Sequence, residues 1–75
     1  MSTPQRFTAI IEREDDGFVS ICPEFDVASQ GATVEEARAN LIEALTLFLD
    51  AASAAELQRR AQHELFVTQV EVLVG

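Results

Sequence analysis

SQGATVEEARANLIEALTLFLDAA, running from Ser29 to Ala52, sets the architecture of this 75-residue chain. Thr33 is followed three residues later by Glu36, the spacing of a capping box. A threonine hydroxyl there accepts from a free helix N–H, while the glutamate reaches back to the N–H of the cap residue itself. Gly31 breaks the preceding segment, and Glu35 and Glu36 place negative charge where the helix dipole is positive. Beyond the cap, Val34, Ala37, Leu41, Ala44, Leu45, Phe48 and Ala52 recur at three- and four-residue steps and form one stripe. Ile42 and Leu49 widen it on one flank, and Glu36, Asn40, Glu43 and Asp50 lie largely opposite. The pattern predicts an amphipathic helix of about five turns. Leu47 falls outside the stripe, by about 100° or more on a 3.6-residue wheel.

Upstream of the helix the period changes from helical to alternating. Phe7 to Arg13 reads as a first strand, with Phe7, Ala9 and Ile11 on one face. Glu14-Asp15-Asp16-Gly17 follows, and Asp-Gly is a strong hairpin signal because both residues tolerate positive φ. Phe18 to Cys22 is the return strand, with Val19 and Ile21 alternating against Phe18, Ser20 and Cys22. Pro23 lacks an amide donor and ends it. Phe25 to Gln30 is a third, shorter extended segment closed by Gly31. Met1 to Gln5 is a polar lead-in containing Pro4.

Downstream, Ser53 to Glu56 repeats the capping-box spacing, and Leu57 and Ala61 follow at a four-residue step. These predict a short second helix over roughly 54–62. Leu65 to Val74 is rich in β-branched residues and predicts a long fourth strand. Phe66, Val70, Val72 and Val74 would share one face, and Leu65, Val67 and Leu73 the other, beside Gln69 and Glu71. The expected fold is α+β: a two-layer β-β-β-α-β domain over residues 1–75, its antiparallel sheet packed on one long helix.

These signals, taken in order, resemble the HicB antitoxin family. The resemblance is carried by Phe7-Thr8, Asp16-Gly17-Phe18, Cys22-Pro23-Glu24, Ser29-Gln30-Gly31, Thr33-Val34-Glu35-Glu36-Ala37, Asn40 and Ile42-Glu43-Ala44. It spans about Arg6 to Leu49, over half the chain. It implies a partial ribonuclease-H-like fold, homo-oligomerisation, and binding that blocks HicA, a small basic mRNA-cleaving RNase. Two departures qualify it. Many relatives in that family carry a C-terminal DNA-binding domain, whereas this chain stops at Gly75; the expectation is a single-domain member without an autorepressor role. A Pro-Gly-Cys turn is also common there after Cys-Pro-Glu, where this chain has Phe25-Asp26-Val27.

Composition bounds the rest. A chain this short buries only about 60–65% of the surface its unfolded form exposes, so oligomerisation is a natural way to bury more. Thirteen acidic residues against five arginines and no lysine give a net charge of −8. Such a surface repels phosphate backbones and anionic membranes, and favours encounter with a basic protein. A single cysteine forms no internal disulfide, and no signal-like or 18-residue apolar run is present, which makes the cytoplasm the expected compartment.

Catalytic chemistry finds little support. Metal-dependent nuclease work needs carboxylates converging from several elements. Glu12, Glu14, Asp15, Asp16 and Glu71 read instead as a hairpin tip and an acidic rim. Cys22 and His63 are the only thiol and imidazole, with 40 residues between them and no orienting third group evident. They are too few for zinc. No catalytic, cofactor-binding or metal site is expected, and the Arg59-Arg60 doublet reads as compensation for Glu56 and Glu64.

The expected contact positions are of two kinds. Leu47, Val67 and Leu73 supply apolar surface beyond what one thin core covers, for a dimer or tetramer interface. Asp15, Asp16, Glu24 and Asp26 supply charge to steer a basic partner. The expectation is a non-enzymatic antitoxin that occludes a HicA-like toxin, without direct nucleic-acid or membrane binding. The alternative is an orphan homo-oligomeric structural or regulatory protein with no toxin partner.

Overall fold

A computed structural model of the chain describes residues 5–61 and 64–75. Three strands, β1 (Ile10–Glu14), β2 (Gly17–Cys22) and β3 (Val27–Gly31), form an antiparallel sheet in the order β1-β2-β3. A long helix, α1 (Val34–Ala51), and a short one, α2 (Ala54–Ala61), follow. This is the expected α+β architecture. Met1–Pro4 of the polar lead-in, Gln62 at the end of the expected second helix, and His63 lie outside the described residues.

The sheet is built on a two-residue loop, Asp15-Asp16, between the paired residues Glu14 and Gly17. Asp15 takes the left-handed conformation, with φ 52°, so the turn does not use glycine for positive φ. Gly17 is required for another reason. A Cβ there would stand 2.9 Å from the Gly31 carbonyl oxygen across the sheet. β1 starts at Ile10 rather than Phe7 because Thr8 gives its N–H to the Glu24 carboxylate, 2.8 Å away, and Phe7 packs on Phe25. β3 starts at Val27 rather than Phe25 because Asp26, with φ 56°, turns the chain while Phe25 drops into the core.

Helix α1 begins as its sequence dictates, with one difference. The Thr33 hydroxyl accepts from Glu36 N at 3.0 Å. The Glu36 carboxylate takes the N–H of Ala32 at 3.0 Å, one residue before the cap residue that the motif predicted. Ala37 and Leu41 of the stripe are buried, and Leu45, Phe48 and Leu49 pack against the core. Val34 belongs to the stripe by spacing but is 41% exposed, because the helix starts at the rim of the sheet. The helix ends at Ala52, whose N–H returns to the Phe48 carbonyl, and Ser53 caps α2 by accepting from Glu56 N at 3.1 Å.

The core is small: Cys22, Phe25 and Leu41, flanked by Phe7, Val27, Leu45, Phe48, Leu49 and Leu57. Phe25 lies at its centre, edge-on to Phe7 at 5.0 Å and tilted against Phe48 at 5.5 Å. On β2 the more polar face turns inward. Ser20 is fully buried and its hydroxyl donates to the Ala37 carbonyl at 2.9 Å, which joins β2 directly to the α1 backbone. Val19 and Ile21 face the other way, so Ile10, Ile21 and Ala28 form an apolar row across the open side of the sheet.

The fourth strand expected at Leu65–Val74 is absent from this sheet. Residues 64–75 carry no strand pairing, and their side chains are exposed. Strand propensity reports that a segment fits a half-buried pleated surface; it does not say which edge, or whose, that surface belongs to. No helix among the described residues is long and apolar enough to cross a membrane.

Candidate functional site

The acidic positions fall at opposite ends of the sheet. At one end the β1–β2 turn, the last residues of β3 and the first turn of α1 converge. They bound an open cleft of about 570 Å³, lined by Glu14, Asp15, Asp16, Phe18, Glu36 and Asn40 among others. Four of its lining residues are carboxylates and none is basic. The walls are held firmly: Asn40 donates to the Gln30 carbonyl at 2.7 Å, and Glu36 is fixed by its bond to Ala32 N. Gly31 allows this convergence, since a Cβ there would come within 2.5 Å of the Ala37 nitrogen. Arg13 beside this end lies over the Phe18 ring, 4.6 Å from its centroid, and among the described residues forms no ion pair with these carboxylates.

Glu24 and Asp26 sit at the far end, in the β2–β3 turn, and line a smaller cleft of about 380 Å³ with Pro23, Glu56, Arg59 and Arg60. Asp26 is exposed. Glu24 is engaged: its carboxylate accepts from Thr8 N and Thr8 Oγ1, each at 2.8 Å, and from the Cys22 thiol at 3.4 Å. Burial alone would push this carboxyl up, but the hydrogen bonds from Thr8, its own backbone N–H and Cys22 outweigh it and hold the pKa below the usual value. Glu24 therefore braces the segment before β1 onto the β2–β3 turn. Cys22 is driven the other way. Burial raises its thiol pKa, the Phe25 backbone N–H lowers it, and the neighbouring Glu24 raises it further. A buried, neutral thiol is a packing group rather than a nucleophile. The Cys22–His63 pairing question falls partly on His63, outside the described residues.

The apolar positions do not share one patch with the acids. Leu47 is 63% exposed on the outer side of α1; Val67 and Leu73, 65% and 101% exposed, lie on the C-terminal segment. Arg60 compensates Glu56 as its spacing predicts, but its tie to the core was not legible in the sequence. It donates to the Phe25 carbonyl, pairs with Glu56 at 3.3 Å and lies 5.3 Å from the Phe48 ring centroid. The Glu56–Arg60 spacing was the one available signal; the bond to Phe25, 35 residues away, had none. Among the described residues no three His, Cys, Asp or Glu side chains gather closely enough to hold a metal ion.

No family model matches this chain, and no curated protein or solved structure matches it significantly.

Proposed function

We propose that this chain is a non-catalytic binding domain that neutralises a small basic protein by occluding it, in the manner of a HicB-like antitoxin acting on a HicA-like RNase. The observation that carries this reading is the cleft between the β1–β2 turn and the start of α1, where Glu14, Asp15, Asp16 and Glu36 converge without a basic lining residue. A ribonuclease of basic type holds RNA through cationic side chains. Carboxylates set on a rigid turn compete with phosphate for those cations, and the net charge of −8 draws the two proteins together before they touch. The same charge disfavours holding nucleic acid directly.

The test is co-expression with a small basic RNase of HicA type, taken from beside this gene if one is encoded there, followed by pull-down and an RNA-cleavage assay. Capture with loss of cleavage supports the reading. Unimpeded cleavage in the presence of a folded sample overturns it. The second reading, an orphan homo-oligomer, is favoured by a separate observation: the exposed apolar C-terminal segment.

A further inference from the structure

We infer that residues 64–75 act as an exchanged arm that adds a fourth strand to the sheet of a second copy of this chain, along the outer edge of β1. The inference holds whether or not a toxin partner exists.

Three observations place the arm away from its own sheet. Its side chains stand open, with Phe66 84% and Val70 81% exposed. The chain extends 51 Å along its longest axis against 19 Å along its shortest. Its radius of gyration is 14.8 Å, where a compact chain of this length has about 11 Å. Seven of the twelve arm residues are apolar and lie on both faces of an extended strand. That is the pattern of a strand covered on both sides, which solvent cannot satisfy.

The receiving edge follows from the hydrogen-bond pattern. With Glu14 and Gly17 closing a two-residue loop, alternation turns the backbone groups of Ile11 and Arg13 outward from β1, and those of Ala28 and Gln30 outward from β3. On β3 the Gln30 carbonyl is already taken by Asn40, and the first turn of α1 crowds Gly31. Among the described residues, the β1 edge has no such cover. Helix α1 also lies mainly over β2 and β3, so the space on the helix side beyond β1 is open to one apolar face of an added strand.

The occupant is a second copy rather than another protein for reasons of composition and symmetry. Seven of the arm's twelve residues are apolar and none is basic, so it fits an apolar sheet face such as the Ile10, Ile21 and Ala28 row better than a charged surface. Each chain holds both a donor arm and an acceptor edge. Two copies therefore satisfy each other reciprocally about a two-fold axis, which closes the assembly and removes the free β1 edge that would otherwise template aggregation.

The experiment uses the full chain at micromolar concentration. Light scattering should give twice the monomer mass. In a sample mixing isotope-labelled and unlabelled chains, filtered nuclear Overhauser spectra should show contacts from the Val70 and Val72 methyls of one chain to β1 of the other. Val72→Pro removes a strand N–H from the arm without touching the core and should return the mass to that of a monomer with its helical circular dichroism intact. Leu73→Asp should do the same by charge. A monomeric wild type, arm contacts only within one chain, or a dimer that survives both substitutions would each overturn the inference.

Discussion

The Arg60 guanidinium donates to the main-chain carbonyl of Phe25, so the end of the short helix is tied to the residue at the centre of the core. The same group lies near the Phe48 ring and pairs with Glu56 one turn earlier. One planar side chain thus links α2, α1 and the β2–β3 turn. Arg60→Ala should destabilise the protein by about 1–2 kcal/mol, most of it from the lost carbonyl bond and ring contact, because the half-exposed ion pair contributes little. Arg60→Lys should recover only a small part, since an ammonium cannot serve carbonyl, carboxylate and ring in one plane. Urea denaturation ranks the two; a lysine variant as stable as wild type would reduce Arg60 to its charge.

Gly31 and Gly17 are both flexible residues by type, yet neither takes a positive φ, and space alone separates them. At Gly31 an added methyl meets the Ala37 nitrogen at 2.5 Å and Glu36 atoms at 2.8 and 2.9 Å, all but one of them backbone. At Gly17 it meets one carbonyl oxygen at 2.9 Å. Gly31→Ala should therefore cost about 1–3 kcal/mol by lifting the first turn of α1 off β3, and Gly17→Ala distinctly less. Thermal melts of the pair check the order.

What the sequence made legible, and what it did not, divides along local and non-local lines. Thr33 and Glu36 announced the start of α1, Ser53 that of α2, and Asp15-Asp16-Gly17 the hairpin, because each is chemistry within four residues. The buried Ser20 was not legible: the apolar alternation of Val19 and Ile21 looks like the core face, and only the Ala37 carbonyl above β2 makes a hydroxyl the better inward group. Glu24 read as a free surface charge because its partner, Thr8, lies 16 residues away. The β-branched composition of the tail predicts a strand of this sheet, and residues 64–75 form none, since pairing at an edge belongs to tertiary and quaternary geometry.

At the helix start, Thr33→Ala removes the acceptor for Glu36 N and should cost about 1 kcal/mol. Leu41→Ala, at a position only 1% exposed, should cost about 2–5 kcal/mol. Phe48→Ala should approach the same range, tempered by its partial exposure. Should Thr33→Ala prove the worst of the three in denaturant, the packing of α1 against the sheet would need reassignment.

Glu24 supplies the pH dependence. Its folded carboxyl lies below the ordinary 4.5, so the folded state favours the ionised form. The stabilisation is present in full above the unfolded pKa and is lost as pH falls through the folded one. The stability difference between wild type and Glu24→Gln should therefore be flat from neutral pH down to the ordinary carboxyl range and shrink on further acidification. Urea midpoints of the two proteins at several pH values test this. A difference that widens in acid would reverse the sign and remove the Thr8 bracket as its cause.

Asp15 and Asp16 offer the sharpest test of the proposed function, because both side chains are exposed and reach no core residue. Both are exposed in a turn and neither makes a side-chain hydrogen bond among those of the described residues, so Asp15→Lys with Asp16→Lys should cost only about 1 kcal/mol, from a lysine at the left-handed φ of Asp15. The double change moves the net charge from −8 to −4 and takes the charged lining of the cleft from four carboxylates to two carboxylates balanced by two lysines. Steered association depends on the potential of that lining over roughly the Debye length, about 8–10 Å at physiological salt. With a basic toxin-like partner, the on-rate of the variant should fall by about tenfold or more at low salt and converge toward wild type as salt is raised, while the off-rate changes less. The isolated chain, wild type or variant, should not hold operator DNA at physiological salt, since no cluster of cations is present to displace counterions. Surface plasmon resonance over a salt series separates the terms. An equal on-rate for both proteins at every salt concentration would move the partner surface away from the hairpin tip, and tight DNA binding by the wild type would remove the antitoxin-by-occlusion reading altogether.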